Sequence, residues 1–122
     1  MTRESVALLR EGLVVQPEAA ALYHSLGLAQ VRGGDSDEAL QSLRKAAELQ
    51  PEVARYGYVL GIALNSTGQA DAAISTLEAV HERHPNDRDV LFALATMERD
   101  RGNRDRAIRW TNELLRLNPA DA

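Results

Sequence analysis

GGDSDEAL, residues 33–40, looks in isolation like a small acidic site, with Asp35, Asp37 and Glu38 gathered behind two glycines. The stretch has two relatives: TGQADAAI begins at Thr67 and RGNRDRAI at Arg101. Gly34, Gly68 and Gly102 stand 34 residues apart, as do Asp37, Asp71 and Asp105, and Ala39, Ala73 and Ala107. Leu26, Leu60 and Leu94 keep the same step, and so do Pro17, Pro51, Pro85 and Pro119, the only prolines in the chain. A fixed period of this length marks stacked units, each too small to hide its apolar side without a neighbour. A motif that returns once per unit is a joint.

Each unit reads as two helices. In PEAAALYHSLGLAQVRGG, Leu22, Leu26 and Ala29 share one face at helical spacing. Gly34 follows, a residue free to take positive φ just past a helix C-terminus. Asp35 is then the expected N-cap of the second helix, its carboxylate accepting from free amides. Asp37 and Glu38 fall in that helix's first turn, where the macrodipole favours negative charge. The second helix, SDEALQSLRKAAEL, sets Ala39, Leu43 and Ala46 on one face, and Pro51 stops it and opens the next first-type helix. Asn103 can repeat the capping role of Asp35. Gln69 caps poorly, so the second joint is expected to be the weakest. Gly12 and Gly57 have no evident role in this scheme.

The chain has 122 residues, 44% apolar and 26% charged, which suits one globular unit. Its net charge is −4, spread as −3 over residues 1–53, −2 over 54–87 and +1 over 88–122, too mild an asymmetry to name a partner. There is no cysteine, so disulfides, thiol chemistry and cysteine-held zinc or haem are excluded within these residues. Glu4 and Glu11 interrupt the apolar pattern of residues 1–15, so no signal peptide is expected in them. No apolar run approaches the ~20 residues that span a bilayer, and no membrane insertion is expected.

A 34-residue helix–turn–helix period with these residues resembles the tetratricopeptide repeat. The first repeat matches at Tyr23, Leu26, Gly27, Ala39, Leu43, Ala46 and Pro51. The second matches at Leu60, Gly61, Ala73, Leu77 and Pro85, and the third at Leu94, Ala95, Ala107 and Pro119. Gln30 and Glu98 stand where the family usually has an aromatic, Gly57 where its first aromatic belongs, and Thr111 where a large residue belongs. These departures are expected to loosen the packing. The resemblance implies an all-α fold: a right-handed superhelical array of about seven helices in antiparallel pairs. Residues 1–122 then form a single domain, with a half-repeat helix at 3–16 and repeats at 18–51, 52–85 and 86–119. The array begins in mid-repeat and ends on a second-type helix without a polar capping helix, as expected of a piece of a longer protein or of an end covered by a partner or another copy. ARYGYVLGIALNSTGQ and HPNDRDVLFALA also resemble repeat tails of bacterial multihaem cytochrome c proteins. That likeness would make the chain periplasmic; without it a cytoplasmic location is equally open.

In this family the first-type helices line a concave groove that receives a peptide or a partner's helix. The resemblance places His24, Leu28, Val31, Arg55, Tyr58, Ile62, Asn65, Phe92, Thr96 and Arg99 there. Leu28, Tyr58, Ile62 and Phe92 would form an apolar strip flanked by Arg55 and Arg99, fit for a peptide with apolar anchors and a carboxylate. The carboxylate clamp that holds chaperone C-terminal tails is not expected, because His24, Leu28, Val59, Asp89 and Ala93 occupy its places. The other function class is self-association: Trp110 and Leu117 would lie near an uncapped end and make a homo-oligomer, whereas Leu114, also near that end, is expected to pack on the first helix of the third repeat. No enzyme is expected, since no nucleophile–base pair or phosphate-cradling loop is found. His81 and His84 alone make a poor metal site, and no cofactor is expected. Arg99, Arg101, Arg104, Arg106 and Arg109 are interrupted by acids, so nucleic acid is not an expected partner.

Overall fold

The computed structural model describes residues 3–117. Among them are seven helices and no strand: α1 (Arg3–Val15), α2 (Ala20–Arg32), α3 (Ser36–Leu49), α4 (Ala54–Ser66), α5 (Ala70–Arg83), α6 (Arg88–Asp100) and α7 (Arg104–Leu117). Each helix packs on its neighbours in sequence, and α4 also reaches α6. The helices therefore stack in chain order, the all-α array that the period predicts. Pro119 lies outside the described residues.

The glycine joints have one geometry. Gly34, Gly68 and Gly102 carry φ of 83°, 83° and 81°. At the first, the Gly34 amide donates to the Val31 carbonyl (3.1 Å) and the Asp35 amide to the Gln30 carbonyl (2.9 Å). The same two bonds run from Gly68 and Gln69 to Asn65 and Leu64, and from Gly102 and Asn103 to Arg99 and Glu98. This is the Schellman closure, in which backbone amides satisfy the last carbonyls of the first-type helix; at the second joint the Ser66 and Thr67 hydroxyls also donate to the Ala63 and Leu64 carbonyls. The side-chain caps expected at the start of the next helix are not made: neither Asp35 nor Gln69 makes a side-chain cap bond, and the Asn103 amide group donates to Glu98 Oε1 (2.8 Å). Any side chain after the glycine tolerates this closure, so the second joint is built like the others. A side-chain cap appears at Asp87, whose Oδ1 accepts from the Val90 amide (3.1 Å).

The prolines also differ from expectation. Pro17, Pro51 and Pro85 do not open the following helix; α2, α4 and α6 start three residues later. Each proline is the second residue of a tight turn, closed at 3.1 Å by the amides of Ala19, Val53 and Asp87 donating to the carbonyls of Gln16, Gln50 and His84. A ring that fixes φ near −65° is preset for that position.

One apolar cluster runs through the successive pairs, from Leu40 and Leu43 through Leu60, Leu64, Ile74 and Leu77 to Val90, Leu94 and Met97. Leu26, Leu60 and Leu94 are all buried. Within a pair, helices touch at glycine. A Cβ on Gly27 would stand 2.6 Å from Leu43 Cγ, and one on Gly61 2.7 Å from Leu77 Cγ. In the third pair the same register holds Ala95 and Thr111: the first-type residue grows and its second-type partner shrinks. Gly57 belongs to a second such set. Its Cβ would meet Val80 Cγ2 at 2.4 Å. One period earlier the two positions hold Tyr23 and Ala46. Large against small in the first repeat becomes none against medium in the second. Gly12 likewise faces Leu22, whose Cδ1 would lie 3.2 Å from an added Cβ.

Gln30 and Glu98 do not loosen the packing. They are 2% and 1% exposed, and the same register in the second repeat is held by buried Leu64. The Ser42 hydroxyl donates to Gln30 Oε1 (2.7 Å), and Gln30 Nε2 donates to Glu38 (3.3 Å). Glu98 accepts from Asn103 at one oxygen and from Arg106 at the other (3.3 Å). Polar contacts replace the expected aromatics, each buried group having a partner, as burial requires.

Candidate functional site: first-type helices and the α6–α7 groove

Helices α2, α4 and α6 present stripes at helical spacing: His24 and Leu28, then Arg55, Tyr58, Ile62 and Asn65, then Phe92, Thr96 and Arg99. Arg55, Asn65 and Arg99 are exposed, and Leu28, Tyr58 and Thr96 half-buried, with Tyr58 packed against the apolar cluster. Val31, Ile62 and Phe92 are 49%, 38% and 64% exposed, high for apolar side chains. Arg99 lies 3.2 Å from Asp100, so its charge is shared locally and screened by solvent.

The structure gathers three of these residues into one groove. Phe92, Thr96 and Arg99 of α6, with Ala95, face Ala107, Ile108, Thr111 and Leu114 of α7 across a space of about 550 Å³. Ile108 lies outside the stripe of the first-type helices. Its signal was present: Leu40, Ile74 and Ile108 share the 34-residue register. Leu40 and Ile74 are each 7% exposed and Ile108 is 48%. Trp110 turns the other way. It is half-buried against the apolar cluster and sets its ring edge-on to His81, centroids 5.0 Å apart. Leu117 is half-buried. Among the described residues no three potential metal ligands cluster.

The His24 ring lies 4.9 Å from that of Tyr56. Burial, and secondarily the Arg55 guanidinium, hold its pKa below the ordinary 6.5. The folded state therefore resists protonation more than the unfolded one. As pH falls through 6.5, unfolded chains take up a proton that folded chains refuse, so stability declines with falling pH until the lower folded pKa is reached. Thermal midpoints measured across this range should drop toward acid in the wild type. The drop should be shallower in His24→Phe; an identical slope in both would exclude His24 as its source.

A tetratricopeptide repeat family model matches the chain three times, at residues 2–54, 24–81 and 58–122. The chain belongs to the tetratricopeptide repeat family. Its fold is shared by solved structures of MamA. A MamA crystal structure superposes with a TM-score of 0.87 at 23% identity, over 95% of this chain and 68% of that one. MamA MSR-1 gives 0.78 at 26% identity, over 96% and 67%. MamA AMB-1 gives 0.76 at 27% identity, over 93% and 66%. The chain thus spans about two thirds of the length of these proteins. No curated protein has a significantly similar sequence. Family and fold are those of a protein–protein interaction scaffold, and no helix among the described residues is long and apolar enough to cross a membrane.

Proposed function

We propose that this chain is a binding scaffold that receives a peptide or partner protein along the stripe of its first-type helices, without catalysis of its own. The reading takes residues 1–122 as one array, divided into the half-repeat at 3–16 and the repeats at 18–51, 52–85 and 86–119. The exposure of Ile62 and Phe92 on consecutive first-type helices carries it. Apolar side chains left open beside Arg55 and Arg99 suit anchors of a segment that also carries a carboxylate. The test is affinity capture from the native cell extract, with bound proteins identified by mass spectrometry and their binding then measured directly. Ile62→Glu should lose the partner that the wild type retains while its circular dichroism is unchanged. A partner held equally well by Ile62→Glu would count against the stripe.

A second reading, self-association through the ends of the array, is favoured by one observation. Ile108 is open where its register equivalents are covered.

A further inference from the structure

We propose that the α6–α7 groove is filled by helix α1 of a second copy, so that copies join head to tail. This rests on the self-association reading and names its two surfaces.

The chain holds two examples of this groove already filled. The α2–α3 pair is covered by α4 and the α4–α5 pair by α6, helices of 13 residues each. That cover buries Leu40 and Ile74; nothing among the described residues covers Ile108. Phe92 is 64% exposed, whereas Tyr58, its equivalent one repeat earlier, is half-buried. The groove is therefore a seat shaped for a helix of about four turns. Its charged lining residues are Arg99 and Arg104, and no carboxylate lines it.

Helix α1 fits that description. It too has 13 residues. Glu4, Leu8, Glu11 and Val15 follow one another at steps of four, three and four, which places them on one face. All four are exposed, Leu8 at 66% and Val15 at 79%. The stripe alternates carboxylate and apolar side chain, against a groove that offers Phe92 and Ile108 beside two arginines. Leu8 and Val15 would cover the apolar pair, and Glu4 and Glu11 would meet Arg104 and, in exchange for its exposed neighbour Asp100, Arg99. Apolar cover supplies the attraction, and the charges set the direction in which the helix lies. The two surfaces differ and sit at opposite ends, so the contact is heterologous and propagates into a ring or filament unless it is blocked.

The test uses the full chain in light scattering across a dilution series. Wild-type mass should rise with concentration, and less so at high salt. Ile108→Glu and Leu8→Glu should each abolish the rise while keeping the wild-type circular dichroism and, at concentrations where the wild type is monomeric, its melting curve, since both side chains are already exposed. Mixing the two variants is the decisive measurement. Each retains the surface that the other lacks, so the mixture should give a heterodimer and stop there. Arg104→Glu should weaken association, and Glu11→Arg on the other copy should restore it. If the wild type associates but neither substitution matters, or the mixture stays monomeric, the α1–groove contact is overturned while self-association stands. A wild type that is monomeric throughout overturns both. A monomer that binds a foreign helix at Ile108 would give the groove to a partner and equally overturn the second-copy occupant.

Discussion

Leu77→Ala is expected to lower stability by about 2–5 kcal/mol, read from the denaturant midpoint at constant slope. Leu77 is fully buried in the cluster that links successive repeats, so its loss removes apolar contact and leaves a void. The void lies where Gly61 lets the two helices of the second repeat approach. Gly61→Ala alone should cost about 1–3 kcal/mol through overpacking against Leu77, offset by about 1 kcal/mol of helix propensity. Combined, the two changes should compensate, because the added methyl enters the space that the leucine vacates. The expected coupling is favourable, on the order of 1 kcal/mol or more. Strict additivity in the double-mutant cycle would mean that the close approach at Gly61 does not limit the packing.

Glu98→Leu should change stability in the other direction. The carboxylate is buried, and its partners Asn103 and Arg106 are both exposed. Taking a charge out of water often costs more than its partners return, and replacing buried ionic groups by apolar ones of similar size can stabilise by about 1–4 kcal/mol. The chain contains its own precedent, since Leu64 occupies the same register in the second repeat, buried and well packed. Asn103 and Arg106 can turn to water when the carboxylate goes. Asn103→Ala, by contrast, leaves the carboxylate one hydrogen bond short and should cost about 1–3 kcal/mol. A Glu98→Leu chain that melts well below the wild type would show that the polar contacts hold the third joint in shape.

Much of the fold was legible because its determinants are local and repeated. The spacing of Gly34, Gly68 and Gly102 announces the joints, and a positive φ at each is something glycine supplies without strain. What stayed hidden depends on three-dimensional partners. Asp35 has the composition of a cap, yet its carboxylate accepts no bond from the first turn of α3, and residue type alone does not decide that. Gly57 had no account until Val80 appeared opposite it. The groove was half legible: Phe92, Thr96 and Arg99 follow from the stripe of a first-type helix. Ile108 needed a comparison of burial along the register, which a pattern of residue types does not contain. Trp110 falls near the end of the array because it lies on the last second-type helix; that its ring stands edge-on to His81 depends on a partner distant in sequence.

The reciprocal sizes at Tyr23 and Ala46, and at Gly57 and Val80, make each of the first two helix pairs a cassette that can be moved only whole. A chimera cut at Pro51 or Pro85 carries both members of a set together and should fold. One cut at Gly34 or Gly68, which are no less exposed, would join Tyr23 to Val80 in one product and Gly57 to Ala46 in its reciprocal, a collision in the first and a hollow in the second.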